Sequence, residues 1–291
     1  MKSMKEMGSP DSIPCLDHGF VRLVEVMGDD SSIVQAARVS YGAGTKSVRA
    51  DRALIFYLMQ HRHTTPFEMV EFKFHCKLPI FIARQWIRHR TANVNEISGR
   101  YSVIEDIFWV PSGQDFRAQS QTNRQGDQDA APISEAKAKE LQKIFSEEQQ
   151  QIYKNYEKYL AEGVAREVAR ANLPLSTYTE WYWKIDLHNL LHFLHLRLDP
   201  HAQKEIRVYA EAMAHFVKQK CPIAWEAFEE HFLNAATFSG TEAKLISELL
   251  AEKILWPELE KRRLAQLKEE GASDVRIQRE LENLKKRIQG K

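Results

Sequence analysis

The chain has few cysteines, no long apolar run and almost no net charge, and each shortage excludes a class of protein. Its three cysteines, Cys15, Cys76 and Cys221, lack the spacing of a disulfide framework or a zinc site. No apolar run approaches the roughly 18 residues of a membrane span, and the first residues lack the apolar core of a signal peptide. A formal net charge of +1 gives the whole molecule no general attraction for nucleic acid or anionic lipid. We therefore expect a cytoplasmic protein with reduced thiols and with no membrane or nucleic-acid partner.

A cysteine nucleophile is not expected either. Cys76 alternates with Phe72 and Phe74, which is the pattern of a core residue in a strand. Cys221 precedes Pro222 at the predicted end of a helix, and its neighbours include no base that could activate a thiol. Chemistry that needs a thiolate is therefore disfavoured.

The 291 residues are enough for one large domain or two small ones. Alternating, β-branched and aromatic segments predict strands, and apolar residues at helical spacing predict helices. The predicted strands are 20–27, 71–78 and 177–185, and the predicted helices are 31–39, 48–60, 80–89, 134–161, 164–172, 187–196 and 199–220. Asp199 is the expected N-cap of the last helix, with Pro200 at its first position. The mixture indicates an α/β or α+β fold in which helix dominates.

Composition also divides the chain into segments. Residues 1–16 are rich in Gly, Pro, Ser and Asp and predict a loose N-terminal arm. Residues 91–101 lack periodicity and predict a loop, and residues 111–132 predict a long exposed loop. From residue 242 onward the charge density rises and aromatic residues other than Trp256 vanish. We expect a main domain over 17–241 and a charged helical extension over 242–291.

The densest functional candidate is the stretch 85–100, QWIRHRTANVNEISGR. It carries Arg88 and Arg90, and the planar fork of arginine suits bidentate binding of phosphate. Gly99 allows the backbone to approach a ligand closely, and a carboxylate such as Glu96 can accept a hydrogen bond from a sugar hydroxyl. These features predict a nucleotide-binding site. The alternative is a solvated basic turn that forms surface ion pairs.

Two other clusters admit more than one interpretation. His188 and His192 lie one helical turn apart and could chelate zinc together with His195, but the segment lacks the glutamate of a zincin helix. A polar groove or an interface is favoured, and no metal site is expected. Arg166 and Arg170 also lie one turn apart, and their simplest interpretation is a salt-bridged helix face.

Three classes of function remain open on these residues alone. The first is an enzyme acting on a nucleotide, the second is a nucleic-acid-binding protein that uses the Arg88–Arg90 region, and the third is a histidine–metal hydrolase. A nucleic-acid-binding protein would need a broad basic face, which the near-neutral charge balance argues against.

Several separate blocks resemble the flavin-dependent thymidylate synthases. Arg88-His89-Arg90, seven residues and then Ser98 match the signature of that family in full. The other similar blocks are His63 to Glu68, Phe74 to Trp86, Ala165 to Pro174, and Leu190 to Ile206. They follow the order of the family from about residue 20 to residue 232.

The resemblance implies a reaction and a fold. Such an enzyme transfers a one-carbon unit from methylenetetrahydrofolate to C-5 of dUMP and completes the methyl group with a hydride from FAD that NADPH has reduced. No enzyme cysteine attacks the ring. The implied fold is that of a thymidylate-synthase-complementing protein, a helix-rich subunit with a mixed or antiparallel sheet. The implied assembly is a homotetramer with FAD sites between subunits.

The resemblance also implies roles for residues that match the family. The residues expected to contact FAD are His63, Thr65, Arg88, His89, Arg90, Glu96, Asp186, His188 and His192. The residues expected to contact dUMP are Gln85, Arg88, Glu96, Ser98, Gly99, Arg100, Arg170 and Arg197. Arg197 is the expected catalytic residue, placed at the uracil ring to favour ionisation at N-3.

Overall fold

The central sheet is built from segments in which apolar and polar side chains alternate. A computed structural model describes residues 11–39, 48–118, 133–252 and 256–289. Its strands are β1 (Ser12–Cys15), β2 (Gly19–Met27), β3 (Glu71–Pro79), β4 (Asn93–Glu96) and β5 (Tyr178–Asp186). They lie in the order β1-β2-β3-β5-β4, and all neighbours are antiparallel. One face of the sheet is apolar and meets the helices, as the period of two requires.

Helices pack against that apolar face, except Glu135–Ala161 and Arg166–Ala169, which form a separate hydrophobic cluster with Phe108. In chain order they are α1 (Asp30–Val39), α2 (Val48–Gln60), α3 (Thr65–Glu68), α4 (Ile80–Trp86), α5 (Glu135–Ala161), α6 (Arg166–Ala169), α7 (Leu187–Arg197), α8 (Lys204–Lys220) and α9 (Pro222–Phe228). A short 3-10 turn over Arg170–Asn172 follows α6, and a π-helical turn over Glu229–Leu233 follows α9. The prediction of a helix-rich α+β fold is confirmed, and the sheet is antiparallel.

Trp86 is the centre of the core beneath the functional residues. Its side chain is fully buried, and its ring centroid lies 5.1 Å from that of Trp183 and 5.0 Å from that of Phe193. Contacts of this kind between large aromatic rings are among the strongest in a core. Trp86 is the last residue of α4, and Phe193 is near the end of α7. The packing therefore brings the ends of these two helices together.

The opposite face of the sheet carries a buried ionic network. His75 and Lys77 of β3 are buried, and both contact Glu180 of β5, at 3.1 Å from His75 Nε2 and 3.3 Å from Lys77 Nζ. Burial alone raises the pKa of Glu180, but the hydrogen bond from His75 and the charge of Lys77 outweigh it and hold the pKa below its usual value. Lys77 Nζ also lies 3.0 Å from Glu105. The network ties the segment after β4 to the sheet.

Two predictions about segments near the sheet are wrong. Residues 12–15 were expected in a loose arm, but they form the edge strand β1, because Cys15 is buried and the backbone pairs with β2. Residues 93–96 were expected in a loop, but they form β4, whose backbone bonds to β5. Sequence periodicity does not reveal this strand, because three of its four residues are polar. Residues 1–10 and 119–132, including most of the predicted long loop, lie outside the described residues.

Several helix boundaries also differ from those predicted. Helix α8 begins at Lys204, because Asp199 instead accepts a hydrogen bond from the backbone N–H of His201 at 2.7 Å and closes a turn. Helix α4 ends at Trp86 and not at His89. The predicted helix over 164–172 is a single turn of α6 followed by a 3-10 turn.

A second compact unit begins at Asn234, which is earlier than the predicted 242. It contains α10 (Gly240–Glu252), α11 (Trp256–Glu269) and α12 (Asp274–Gln289). These helices bury Leu267 and Ile277 among themselves and expose most of their charged residues. In the part of the chain that the structure describes, no helix combines the length and apolar character needed to span a membrane.

Candidate functional site

The signature residues emerge where α4 ends. The backbone N–H of His89 donates to the carbonyl oxygen of Trp86 at 2.9 Å and turns the chain out of the helix. Arg88 and Arg90 are exposed on either side of His89, which is half-buried. One turn earlier, Gln85 Oε1 is buried without a hydrogen-bond partner among the described residues. A buried polar atom without a partner is costly, so the side chain of Gln85 is suited to meet a ligand.

Arg197, the last residue of α7, is hydrogen-bonded to His89 across 108 positions of sequence. Arg197 Nε donates to His89 Nε2 at 3.1 Å, so this nitrogen must be unprotonated. Burial, and after it the charge of Arg197 and the neighbouring His192, together lower the pKa of His89 to about 4. Burial also lowers the pKa of Arg197 from its usual value. The pair is therefore a neutral imidazole that orients a charged guanidinium.

This geometry predicts how His89 titrates. In NMR spectra of the ¹⁵N-labelled protein, with the resonance assigned through His89→Asn, the imidazole should titrate near pH 4. Because this pKa lies below that of the unfolded chain, about 6.5, the unfolded chain gains its proton first as the pH falls. The stabilisation from neutral His89 is thus complete above about pH 6.5 and is lost towards pH 4. A midpoint near 6.5 would contradict the buried Arg197 contact.

The loop after β4 presents Ser98, Gly99 and Arg100. The backbone N–H of Arg100 donates to Ser98 Oγ at 3.3 Å and helps to close the turn. A Cβ on Gly99 would lie 2.7 Å from the side chain of Ile104 and 3.1 Å from Cδ of Arg170. A larger residue here would have to displace the end of the Ile104 side chain, and the side chain of Arg170 lies directly over the loop. The structure brings together Gly99 and Arg170, which are 71 positions apart in the sequence.

Arg100 is held by an ion pair with Glu167 of α6. Arg100 Nε lies 3.0 Å from Glu167 Oε2, and the two side chains are 55 % and 54 % exposed. An exposed pair of this kind contributes about 0–1 kcal/mol, so an anion that binds Arg100 more strongly can displace Glu167. The expected salt bridge on the face of α6 is therefore present in part. Glu167 pairs with Arg100 of the loop and not with Arg170.

Three further arginines have unpaired side chains. Within the described ranges the guanidinium groups of Arg88, Arg90 and Arg170 form no ion pair or hydrogen bond. Arg170 contacts the loop at Gly99, and Arg88 and Arg90 precede the loop in the chain. Guanidinium groups without counterions create a positive potential that is able to attract an anion. The interpretation as a basic turn that forms surface ion pairs applies to Arg100.

Glu96 lies at the end of β4, on the core side of the sheet edge. Its Oε1 accepts a hydrogen bond from Thr179 Oγ1 of β5 at 2.6 Å. Its Oε2 has no hydrogen bond from the described residues, so one carboxylate oxygen remains available to a ligand donor. Sequence reasoning did not single out Thr179, because a threonine in a strand is ordinary.

A pocket of about 160 Å³ adjoins His89 on the side of His192. It lies between α2, α3, α7 and the π-helical turn. Apolar side chains of Leu58, Phe67, Phe228 and Phe232 form much of its wall. His63, His188, His192 and His195 line the remainder together with Arg62 and Thr64. An apolar cavity with a few polar groups is the usual form of a cofactor site.

Of the nine predicted flavin contacts, His63, His188 and His192 line this pocket, and Thr65, Arg88, His89, Arg90, Glu96 and Asp186 do not. Thr65 is exposed in α3, and Thr64 lines the pocket in its place. Asp186 caps α7, since its two oxygens accept from the backbone and the side-chain nitrogen of Asn189 at 2.9 and 2.7 Å. Sequence reasoning missed Arg62, which lacked any motif.

The alternatives of a metal site and of a reactive cysteine concern the histidines and the three cysteines. No group of three or more His, Cys, Asp or Glu side chains that could hold a metal ion occurs among the described residues, and His195 instead packs against Phe228 and Phe232. The three cysteines are free and buried, and burial raises the pKa of each thiol above its usual value. None can supply a thiolate to the exposed loop.

Comparisons with known proteins agree with one another. The family model described as thymidylate synthase complementing protein matches residues 22–223. The flavin-dependent thymidylate synthase of Thermus thermophilus is 58% identical over 248 residues, which cover 85% of this chain and 89% of the relative. The enzyme of the same name from Treponema denticola is 56% identical over 238 residues, covering 82% of this chain and 89% of the relative.

A solved structure is also similar. The UMP/dUMP methylase PolB from Streptomyces cacaoi, bound with 5-Br dUMP, has a TM-score of 0.68 and 32% sequence identity, covering 75% of this chain and 97% of that chain. The region that the family model matches contains strands β3, β4 and β5, the signature loop and the four histidines of the pocket. The chain therefore belongs to the family of thymidylate synthase complementing proteins, the flavin-dependent thymidylate synthases.

Proposed function

We propose that the protein is a flavin-dependent thymidylate synthase that methylates dUMP reductively to dTMP. The observation that carries this proposal is the Arg197–His89 hydrogen bond, because it joins an unpaired arginine cluster to an apolar, histidine-lined pocket. The cluster suits a nucleotide phosphate, and the pocket suits a flavin. Two adjoining sites of these kinds are what a reaction between a nucleotide and a flavin requires.

The phosphate part of the nucleotide site is assigned to residues of three segments. Ser98, Gly99 and Arg100 receive the phosphate of dUMP, and Arg88 and Arg170 add charge. Support comes from the unpaired guanidiniums of Arg88 and Arg170 and from the close approach of Arg170 to Gly99.

Polar contacts of the nucleotide are assigned to two further residues. Gln85 places its partnerless amide oxygen against the base. Glu96 uses its available carboxylate oxygen as an acceptor for the nucleotide or the flavin. Both assignments account for polar atoms that the protein itself does not satisfy.

The residues around the pocket fit FAD. Its apolar wall suits an isoalloxazine ring, its lining includes no carboxylate, and its histidines supply hydrogen bonds. His63, His188 and His192 lie in that lining, and His89 lies beside it, with its ring centroid 6.1 Å from that of His192. Arg90 is assigned to the flavin on the family resemblance. We retain Thr65 and Asp186 as assigned flavin contacts on the family resemblance alone. When bound, FAD reduced by NADPH supplies the hydride that completes the methyl group derived from methylenetetrahydrofolate.

The chemical role of this chain is to prepare the pyrimidine. Arg197 carries a positive charge in a partly buried position, where electrostatic interactions are stronger than in water. Placed at the uracil ring, it stabilises negative charge that develops on ionisation at N-3 and so raises the nucleophilicity of C-5. Neutral His89 fixes the direction of the guanidinium without competing for its charge. This route needs no cysteine.

We also propose that the active site is completed by other subunits in a homotetramer. Exposed apolar side chains surround the signature loop, namely Ile87, Ile97, Tyr101, Val103 and Val168. A solvent-exposed group of this kind is typical of an interface. A cytoplasmic location is consistent with three free cysteines. Residues 17–241 are assigned the catalytic activity, and residues 242–291 are treated as an extension.

One assay tests the proposed function. The purified protein should take up FAD, turn yellow and form dTMP from dUMP, methylenetetrahydrofolate and NADPH, and omission of any one substrate should abolish the product. Activity should survive a chelator, which separates this enzyme from a metal hydrolase. A colourless protein that cannot take up FAD would contradict the proposal.

A further inference from the structure

Arg62 occupies a backbone position that normally belongs to glycine. It follows the end of α2, where the N–H of His63 donates to Leu58 O at 2.9 Å and the N–H of Arg62 donates to Met59 O at 3.3 Å. This pair of bonds defines a Schellman cap, and its left-handed residue is usually glycine. Arg62 has a φ of 59°, and Leu16 is the other non-glycine residue with positive φ in the described ranges. A strained residue is a reason to look for a function.

The side chain of Arg62 reaches the wall of the histidine-lined pocket. Its Cζ lies 3.9 Å from the ring centroid of Phe232. Phe232 belongs to the π-helical turn Glu229–Leu233, a type of turn that is rare and often found at functional sites. Two uncommon backbone conformations thus place a guanidinium and an aromatic ring against one another at the same pocket.

Anchoring of the neighbouring helix does not explain Arg62. Helix α9 is already held by Asp30, whose carboxylate accepts from the N–H groups of Ile223 and Ala224 at 2.8 and 2.9 Å. Arg52 makes the same kind of contact with Phe56 at 4.4 Å, but it is also ion-paired with Glu226. Arg62 has no ion pair with any described residue.

The charges of the pocket indicate what Arg62 would bind. Every ionisable residue in the lining, Arg62 and four histidines, is either cationic or able to become so, and the lining contains no Asp or Glu. A guanidinium stacked face-on against a ring keeps its N–H groups, which lie in its plane, free for another partner. The geometry and charge of that fork match a phosphate group.

We propose that Arg62 is a further cofactor-binding residue whose guanidinium binds the diphosphate of FAD. The proposal rests on the proposed function, in which this pocket holds FAD. At this position glycine would adopt the positive φ without strain, whereas arginine binds the anion. The arginine therefore lowers local stability and raises affinity for the cofactor.

The test compares three flavins that differ in phosphate. Riboflavin has none, FMN has one and FAD has two, and binding is measured by flavin fluorescence. Arg62→Gly should weaken FAD and FMN binding about tenfold or more, as loss of a charged hydrogen bond implies, and leave riboflavin binding unchanged. Arg62→Lys, which keeps the charge, should fall between Arg62→Gly and the wild type. Arg52→Ala is the matched control and should bind all three flavins as the wild type does.

A thermal unfolding measurement separates a binding role from a structural one. Arg62→Gly should leave Tm unchanged or raise it, since glycine adopts positive φ without strain. Equal weakening of all three flavins, or wild-type affinity of Arg62→Gly for FAD, would overturn the proposal while leaving the proposed function intact. A wild-type protein that binds no FAD would instead overturn the proposed function.

Discussion

Arg197→Ala is expected to slow dTMP formation by about 10²- to 10³-fold, the loss typical of removing one preorganised group that stabilises developing charge. The side chain lies at the junction of the nucleotide site and the flavin pocket, where Nε bonds to His89. FAD should remain bound, because Arg197 does not line the pocket. Single-turnover formation of dTMP and flavin fluorescence measure the two effects separately.

A second readout follows from the same variant. The charge of Arg197 contributes to the low pKa of His89, so the NMR titration of His89 should move upward in Arg197→Ala. Arg197→Lys keeps a charge but lacks the planar fork, so it should keep the low pKa of His89 better than it keeps the rate. Normal turnover by Arg197→Ala would remove this residue from its catalytic role.

Arg170→Ala is expected to raise the Kd for dUMP about 10- to 100-fold, with little change in FAD affinity. The guanidinium is unpaired and crosses the loop at Gly99, so its removal loses a charged hydrogen bond to the nucleotide phosphate. Isothermal titration of dUMP into the FAD-bound enzyme measures the change. Binding should also become less sensitive to salt, since one positive charge is missing.

Lys154→Ala is a matched control for Arg170→Ala. Lys154 is an exposed cation in α5, and its removal changes the net charge by the same amount without touching the loop. It should leave the Kd for dUMP unchanged. If both variants weakened dUMP binding equally, the effect of Arg170 would be general electrostatics. If Arg170→Ala left the Kd unchanged as well, the assignment of Arg170 to the nucleotide site would be wrong.

Sequence periodicity predicts those strands and helices whose pattern lies within their own residues. The strand over Gly19–Met27 and the helix over Val48–Gln60 follow from their own residues, because each alternates or repeats against one core. Strand β4 does not, since its pairing is supplied by β5 and its own residues are mostly polar. The start of α8 was misplaced because the side chain of Asp199 favours a turn over a helix cap.

The site also has a part that local sequence predicts and a part that it does not. The signature from Arg88 to Ser98 can be read directly, since its residue types are unusual together. The contacts that give it meaning join distant segments: Arg197 to His89, Glu167 to Arg100, and Arg170 to Gly99. No local pattern contains such pairs. Arg62 was missed for another reason, because its significance lies in a backbone angle that the sequence does not display.

The aromatic packing around Trp86 has a consequence for how this enzyme could be altered. Because one buried ring contacts both β5 and α7, the positions of His89 and Arg197 depend on the same packing as the stability of the whole domain. Substitutions that shift these two residues would disturb folding before they changed chemistry. The loop from Ile97 to Ile104 lies outside this aromatic cluster, although Gly99 and Ile104 are restricted by contacts of their own. Variants selected for altered binding of the nucleotide phosphate should therefore carry their changes at the exposed positions of this loop, with the helix ends left in place.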